Sequence, residues 1–238
     1  MKKFYFNVQS KGGAGKSMLT YLQALKFENS GQTAFIDLDS STKTSSRQLN
    51  FLNATDTRLF EVDILDEHKK IEREKLFSVL ERARETGFEN IIIDFGAAES
   101  EQFARLLSLD FTMNDFLEFV HFLEADFVFN VVMAGGPSYV ACFSYLKEIV
   151  TILDGKMPLY IYANEFTFKN QNLLIEELRE FTERSEGAVK AVIPFGNFFP
   201  ERVSGIQIME NIKAGRGNKG IISFVTKVII RNELAKIL

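Results

Sequence analysis

Phe4-Tyr5-Phe6-Asn7-Val8-Gln9-Ser10-Lys11-Gly12-Gly13-Ala14-Gly15-Lys16-Ser17 decides the fold. Its first five residues are rich in aromatic and β-branched side chains, the composition of a buried strand. Gly12, Gly13 and Gly15 then let the backbone curl, so that successive N–H groups point into a concavity suited to phosphate oxygens. A helical pattern starts at Lys16, and the positive end of its dipole falls on the same spot. Lys16 supplies a point charge for β- and γ-phosphates, and the Ser17 hydroxyl is placed to ligate Mg²⁺. Glycines alone mean little; strand, loop and helix in this order make the signal specific.

Outward from this unit, short apolar runs alternate with longer segments of helical period, the pattern of βαβ units. Strands are expected over 4–8, 34–38, 59–64, 90–95, 127–133, 159–163 and 188–193. Helices are expected over 16–29, 70–86, 101–107, 139–153, 170–184 and 220–237, with Gly31 suited to a left-handed cap after the first. Ile91-Ile92-Ile93 and Val131-Val132-Met133 are apolar at every position, as in strands covered on both faces. The expected fold is α/β: a doubly wound, mostly parallel sheet in a three-layer sandwich of the P-loop NTPase class. Its ligands belong at the carboxyl ends of the strands. The 238 residues read as a single domain, 1–238, with neither a linker-like tract nor an internal repeat.

Two further strand ends carry acids. Phe35-Ile36-Asp37-Leu38-Asp39 follows the loop by one βαβ unit, where an acid can bind Mg²⁺ through water or orient an attacking water. Ile91-Ile92-Ile93-Asp94 is a Walker B pattern, whose Asp94 would hold a water of the Mg²⁺ shell. Asn164 closes Leu159-Tyr160-Ile161-Tyr162-Ala163, and its amide can both donate to and accept from an adenine edge.

The loop itself is not the plain G-x-x-x-x-G-K-[ST]: Ser10 stands at the first glycine position and a second lysine, Lys11, lies inside. This K-G-G-x-G-K-S form resembles the deviant Walker A motif of the ParA/MinD superfamily of ATPases. The resemblance implies that Lys11 reaches across a nucleotide-sandwich homodimer and acts there as an arginine finger does. It implies ATP held by Gly12, Gly13, Ala14, Gly15, Lys16 and Ser17, and Mg²⁺ served by Ser17, Asp39 and Asp94. Asp39 would position or activate the water, with Asp37 a supporting acid. Asn164 would contact adenine, and backbone around Pro194 would line the base pocket.

Departures from the pattern are Met18 for a second Thr, Ser40-Ser41 for Pro-Gln, and Phe95-Gly96-Ala97-Ala98 after Asp94. The last suggests a switch loop that moves differently, with Gly96 giving the backbone freedom. Phe198-Phe199-Pro200 and the segment 211–218 also look unlike relatives. The TraL/StbB-like proteins of conjugative plasmids are the branch most resembled. An ATP-dependent dimeric switch with weak hydrolysis is implied, serving plasmid partitioning, positioning or conjugative transfer. The alternative is a MinD-like membrane-associated positioning ATPase.

Charge separates along the chain. Net charge is −4, yet residues 210–238 carry six basic and two acidic side chains, so the rest carries −4 − 4 = −8. Lys213, Arg216, Lys219, Lys227 and Arg231 are therefore the candidate contacts to DNA phosphates. Val225, Val228, Ile229 and Leu238, flanked by Lys227, Arg231 and Lys236, are the candidate membrane face, though a helix packed on the sheet is the favoured reading of them. A small adaptor protein is a further expected partner.

Other classes fall away. The single cysteine, Cys142, lies in an apolar stretch, reads as buried and inert, and cannot bridge an iron–sulfur cluster as in nitrogenase iron proteins. His68 and His121 lack metal spacing and read as solvated or structural. No leader-like segment and no run of about 20 apolar residues is present, so a cytoplasmic protein is expected.

Overall fold

The computed structural model describes residues 1–40, 44–54, 57–198 and 201–237. Ser41, Phe199, Pro200 and Leu238, used in the sequence reading, lie outside them.

β1 (Lys2–Val8) enters the phosphate loop, and α1 (Lys16–Phe27) leaves it. The chain continues through β2 (Thr33–Asp37), a short α2 (Thr44–Gln48), β3 (Leu59–Glu61), α3 (Arg73–Glu85) and β4 (Asn90–Asp94). α4 (Ala97–Arg105) passes into one π turn over Leu106–Asp110 before α5 (Met113–Phe122) and β5 (Ala125–Met133). α6 (Tyr139–Leu153), β6 (Leu159–Asn164), α7 (Asn172–Arg184) and β7 (Val189–Phe195) follow. The chain closes with α8 (Val203–Lys213) and α9 (Phe224–Lys236).

Among the described residues, seven strands form one sheet in the order β3-β2-β4-β1-β5-β6-β7. Every pairing in it is parallel, which sharpens the expectation of a mostly parallel sheet. The chain winds outward on one side of β1 and then on the other, so the winding reverses beside β1. Ligands sit in the crevice at such a reversal. Register does the finer placement: Asp94 stands opposite Asn7 on one neighbour and Asp37 on the other. Two acids thus end adjacent strands at one level.

Alternation along β1 separates its two faces. Phe4, Phe6 and Val8 point to one side, where Phe6 stacks on Phe129 at 5.0 Å and Phe95 on Phe103 at 5.0 Å. Phe116 of α5 closes this layer against Phe127 and Phe103. Phe4, Phe6, Phe95, Phe103, Phe116, Phe127 and Phe129 are therefore core beneath β4, β1 and β5. On the opposite face Asn7 is fully buried and meets α1. It donates to Thr20 Oγ1 (2.8 Å) and Gln23 Oε1 (2.7 Å) and accepts from Asn130 (2.9 Å). A buried amide without such partners costs about 1–3 kcal/mol.

Several elements differ from the sequence expectation. α5 has no counterpart among the expected helices, although Thr112 and Asp115 form a reciprocal capping box at its start. α2 and α8 are likewise additional. α4 begins at Ala97, four residues early, because Gly96 turns strand directly into helix. α9 begins at Phe224 and not at 220, since the Ser223 hydroxyl caps it by accepting from Thr226 N. Residues 218–220 form a single 3₁₀ turn. The atypical segment 211–218 is fastened to α1. Tyr21 Oη donates to Arg216 O (2.6 Å), Asn211 Nδ2 donates to Tyr21 Oη (2.9 Å), and Asn218 Nδ2 donates to Leu25 O (3.0 Å).

Candidate functional site

The phosphate loop needs glycine at two of its positions. Gly13 (φ 76°) and Gly15 (φ 112°) are left-handed, and Gly15 is also the N-cap of α1. A Cβ on Gly15 would stand 2.6 Å from Asn164 Nδ2. Gln9, given no role in the sequence reading, clamps the loop from below. Its N–H donates to Ser100 Oγ (3.1 Å), its Oε1 accepts from Lys11 N (3.1 Å), and its Nε2 donates to Val132 O (2.8 Å). No short-range pattern marks such a residue, because its partners lie on other elements.

The two lysines differ in setting. Lys16 is 8 % exposed and folded inward, donating to Gln9 O at 2.9 Å. Burial lowers its pKa, while Asp94, Asp39 and Glu99 favour its charge. Lys11 is exposed, and its side chain makes no hydrogen bond or ion pair to a described residue.

Ser17 Oγ donates to Asp94 Oδ2 at 3.0 Å, and Ser45 Oγ of α2 donates to the same oxygen. Asp94 Oδ1 is buried and has no partner among the described residues. Burial pushes the Asp94 pKa up to about 7, with Lys16 and the two serines opposing and Asp37 adding to the rise. Asp37 is spent on bracing: Oδ1 accepts from Asp39 N (3.0 Å), and Oδ2 accepts from Ser46 N and Ser46 Oγ (2.7 Å each). Burial raises its pKa too. Asp39, half-buried at the turn, is near enough to favour the charge on Lys16. Ser45 and Ser46 of the unexpected α2 thus hold both buried acids.

An orphaned carboxylate oxygen beside a hydroxyl is a donor set that suits a hard cation such as Mg²⁺. No cluster of three or more His, Cys, Asp or Glu suited to a metal occurs among the described residues. The fit therefore rests on Ser17 and Asp94, with Asp39 half-buried at the neighbouring turn.

Asn164 ends β6 and is 3 % exposed. Its Nδ2 donates to Ala14 O at 3.0 Å, and its Oδ1 is buried with no partner among the described residues. Across from it Gly196 (φ 83°) follows β7; a Cβ there would strike Met18 and approach Asn164 Oδ1 to 3.2 Å. A cavity of about 70 Å³ adjoins, lined by Glu165, Phe166, Gly196, Asn197 and Phe198 among others. Pro194 lies two residues back, inside β7 and paired with Ala163, outside this lining. Met18 accordingly packs at the base side of the loop.

At the C-terminus, Lys213, Arg216, Lys219, Lys227 and Arg231 are exposed, and none pairs with an acid among the described residues. Lys236 is different, held by Glu165 (2.8 Å) and Glu233 (2.7 Å). Ile230 of α9 is buried in the core, and Glu233 accepts from Gly196 N at 2.9 Å, so this helix packs on the body. Cys142 is fully buried and His68 and His121 are exposed, as their sequence contexts suggested. Among the described residues no helix is long and apolar enough to cross a membrane.

No family model matches the sequence, and no curated protein does. Solved structures match along nearly its whole length. A ParA family ATPase from Chlorobium tepidum TLS aligns at TM-score 0.53 and 15% identity, over 98% of this chain and 99% of that one. A protein of Borrelia burgdorferi B31 described as a plasmid partition protein, bound to AMPPNP, aligns at 0.52 and 13%, over 98% and 97%. The MinD cell division protein of Aquifex aeolicus aligns at 0.52 and 12%, over 97% and 94%. The fold is the ParA/MinD fold. In this chain the ParA/MinD fold sets the loop, both acidic strand ends and Asn164 along one edge of the sheet. The phosphate loop stands at its centre, the acids to one side and Asn164 to the other.

Proposed function

We propose that this chain is a ParA/MinD-type ATPase that binds Mg²⁺-ATP and works as an ATP-dependent homodimeric switch. The setting is plasmid partitioning, positioning or conjugative transfer, with slow hydrolysis stimulated by a partner. One observation carries the reading: Lys11 is exposed and pairs with no described residue, in a loop whose other lysine is buried and aimed inward. Across a dimer such a lysine meets the partner's phosphates.

The chemistry follows from the geometry. Backbone N–H groups of Gly12–Ser17 surround the phosphates, and Lys16 exchanges its Gln9 carbonyl for phosphate oxygen. Ser17, with Asp39 and Asp94 through its water shell, would hold Mg²⁺, and the ion would neutralise charge on the β- and γ-phosphates. Asp39 orients a water for in-line attack on the γ-phosphorus. The bond to the β–γ bridging oxygen breaks, leaving ADP and phosphate. Asn164 Oδ1, still without a partner, accepts from the adenine amino group.

Lys213, Arg216, Lys219, Lys227 and Arg231 contact DNA phosphates, and a small adaptor protein stimulates turnover. The MinD-like alternative has its own support: Ile222 and Phe224 are 83% and 80% exposed beside Lys219 and Lys227. That combination suits an anionic membrane surface.

The deciding experiment is the solution mass with Mg²⁺-ATP and with Mg²⁺-ADP, for wild type and Lys11→Ala. A dimer formed with ATP and lost in Lys11→Ala supports the switch; nucleotide binding by an unchanging monomer sinks it. Binding of the ATP-loaded protein to random duplex DNA or to anionic liposomes separates the two settings.

A further inference from the structure

The Glu99 carboxylate takes no part in the chemistry above, yet it is 1 % exposed and lies at the site. It belongs to the first turn of α4, five residues beyond Asp94. Its Oε1 accepts from Ser40 Oγ at 2.5 Å and from Ser40 N at 3.3 Å. Its Oε2 lies over Gly96, where an added Cβ would overlap it. That Cβ would also come within 3.2 Å of Asp39 Cα. Gly96 is therefore demanded by close approach, because its φ of −59° is open to any residue. Glu99 fills the gap between the turn after Asp39 and the turn after Asp94.

Helix capping does not account for it. Among the described residues the Glu99 bonds go to Ser40, while the start of α4 is secured by Ser100. Ser100 N and Oγ donate to Gly96 O at 2.9 and 2.8 Å, and Ser100 Oγ accepts from Gln9 N. Burying a carboxylate costs several kcal/mol unless donors and charge compensate it. Here the Ser40 donors, the helix dipole and the field of Lys16 do so. Each lies on a different part of the site, so Glu99 is bound to the loop, the Asp39 turn and α4 together.

We propose that Glu99 is a positioning residue that latches Ser40, and so fixes Asp39 over the phosphate loop and couples its turn to α4. Hydrolysis then depends on Glu99, while nucleotide binding does not. This rests on the ATPase reading above.

The test measures single-turnover ATP hydrolysis and the affinity for a fluorescent ATP analogue in wild type, Glu99→Ala, Glu99→Gln, Ser40→Ala and Glu99→Ala/Ser40→Ala. Both alanine variants should lose about 10- to 100-fold in rate at saturating ATP with affinity within about threefold, the mark of an interaction that acts on the chemical step. The double variant should be no slower than Glu99→Ala, since the bond lost in Ser40→Ala is one of the two lost in Glu99→Ala. Glu99→Gln, which keeps an acceptor for Ser40, should recover most of the rate.

Ser40→Ala keeps the proposal testable if Glu99→Ala fails to fold. Wild-type rates in folded variants overturn the latch, as do losses that multiply in the double variant. A Glu99→Gln variant as slow as Glu99→Ala, with Ser40→Ala unaffected, overturns it as well, because the charge itself would then be the working part. Wild-type protein that neither binds nor hydrolyses ATP overturns the ATPase reading and the latch with it.

Discussion

Ser17 Oγ donates to Asp94 Oδ2 across 3.0 Å, while Oδ1 of the same carboxylate is buried with no partner among the described residues. The burial of this carboxylate should show in its protonation. With the folded-state pKa pushed up to about 7 from an ordinary 3.8, the folded protein binds a proton that the unfolded chain releases. That stability is fully present below the unfolded value and is lost as pH rises through the folded one. Asp37, also raised by burial, acts in the same direction. Nucleotide-free wild type should therefore melt at a lower temperature at about pH 8 than at about pH 5.5, and Asp94→Asn should flatten the difference. Mg²⁺ and ATP should restore the wild type at the higher pH. A melting temperature with the same pH slope in both proteins would falsify this role for burial.

Asn164 ties the end of β6 to the loop. Asn164→Ala removes the donor to Ala14 O and should cost about 1–3 kcal/mol, the penalty of a buried carbonyl left unpaired. It should also weaken discrimination of ATP from GTP by about tenfold, since a 1–3 kcal/mol hydrogen bond to the base edge is then gone. Competition between the two nucleotides for the loaded site reads this directly. An unchanged ATP preference would place base recognition elsewhere, with the residues around Gly196 and Asn197 next in line.

What the sequence discloses and what it hides have one physical cause. β1, the loop and α1 are contiguous, so strand composition, glycines and helix start can be read in one window. Ile91–Asp94 is equally local. Ser45 and Ser46 are not: their value lies in reaching Asp94 and Asp37, which end two other strands. Gln9 and Glu99 are hidden likewise, because each is defined by partners on distant segments. The α5 start is within reach, since Thr112 and Asp115 have capping-box spacing. Helix period alone passes over it, because the helix merges into the apolar run that leads to β5.

The glycines of the loop should not respond alike to alanine. Gly15→Ala combines a left-handed φ with a Cβ pressed on Asn164, so it should destabilise by about 1–3 kcal/mol and lower the melting temperature clearly. Gly12 has no positive φ, and nothing lies within 4 Å of its Cβ position. Gly12→Ala should melt as the wild type does. Any loss of ATP affinity in that variant would then report backbone approach to phosphate and not misfolding. Equal melting losses in both variants would contradict the geometry of the loop.

The basic C-terminal surface gives the sharpest test of DNA as the partner. Lys213 and Lys227 lie on different elements, are exposed, and pair with no acid among the described residues. Reversing both to Glu should leave the melting temperature and ATP hydrolysis nearly unchanged. Binding of the ATP-loaded protein to random duplex DNA should weaken, and the slope of log affinity against log salt should shrink by about one for each phosphate no longer neutralised. Lys236→Glu is the control of opposite kind: it breaks the pairs with Glu165 and Glu233 and should cost stability without changing the slope. If the double reversal leaves DNA binding and its salt slope intact, this surface does not carry the nucleic acid. Binding to anionic liposomes by the wild type, abolished in the same variant, would instead favour a membrane as the surface.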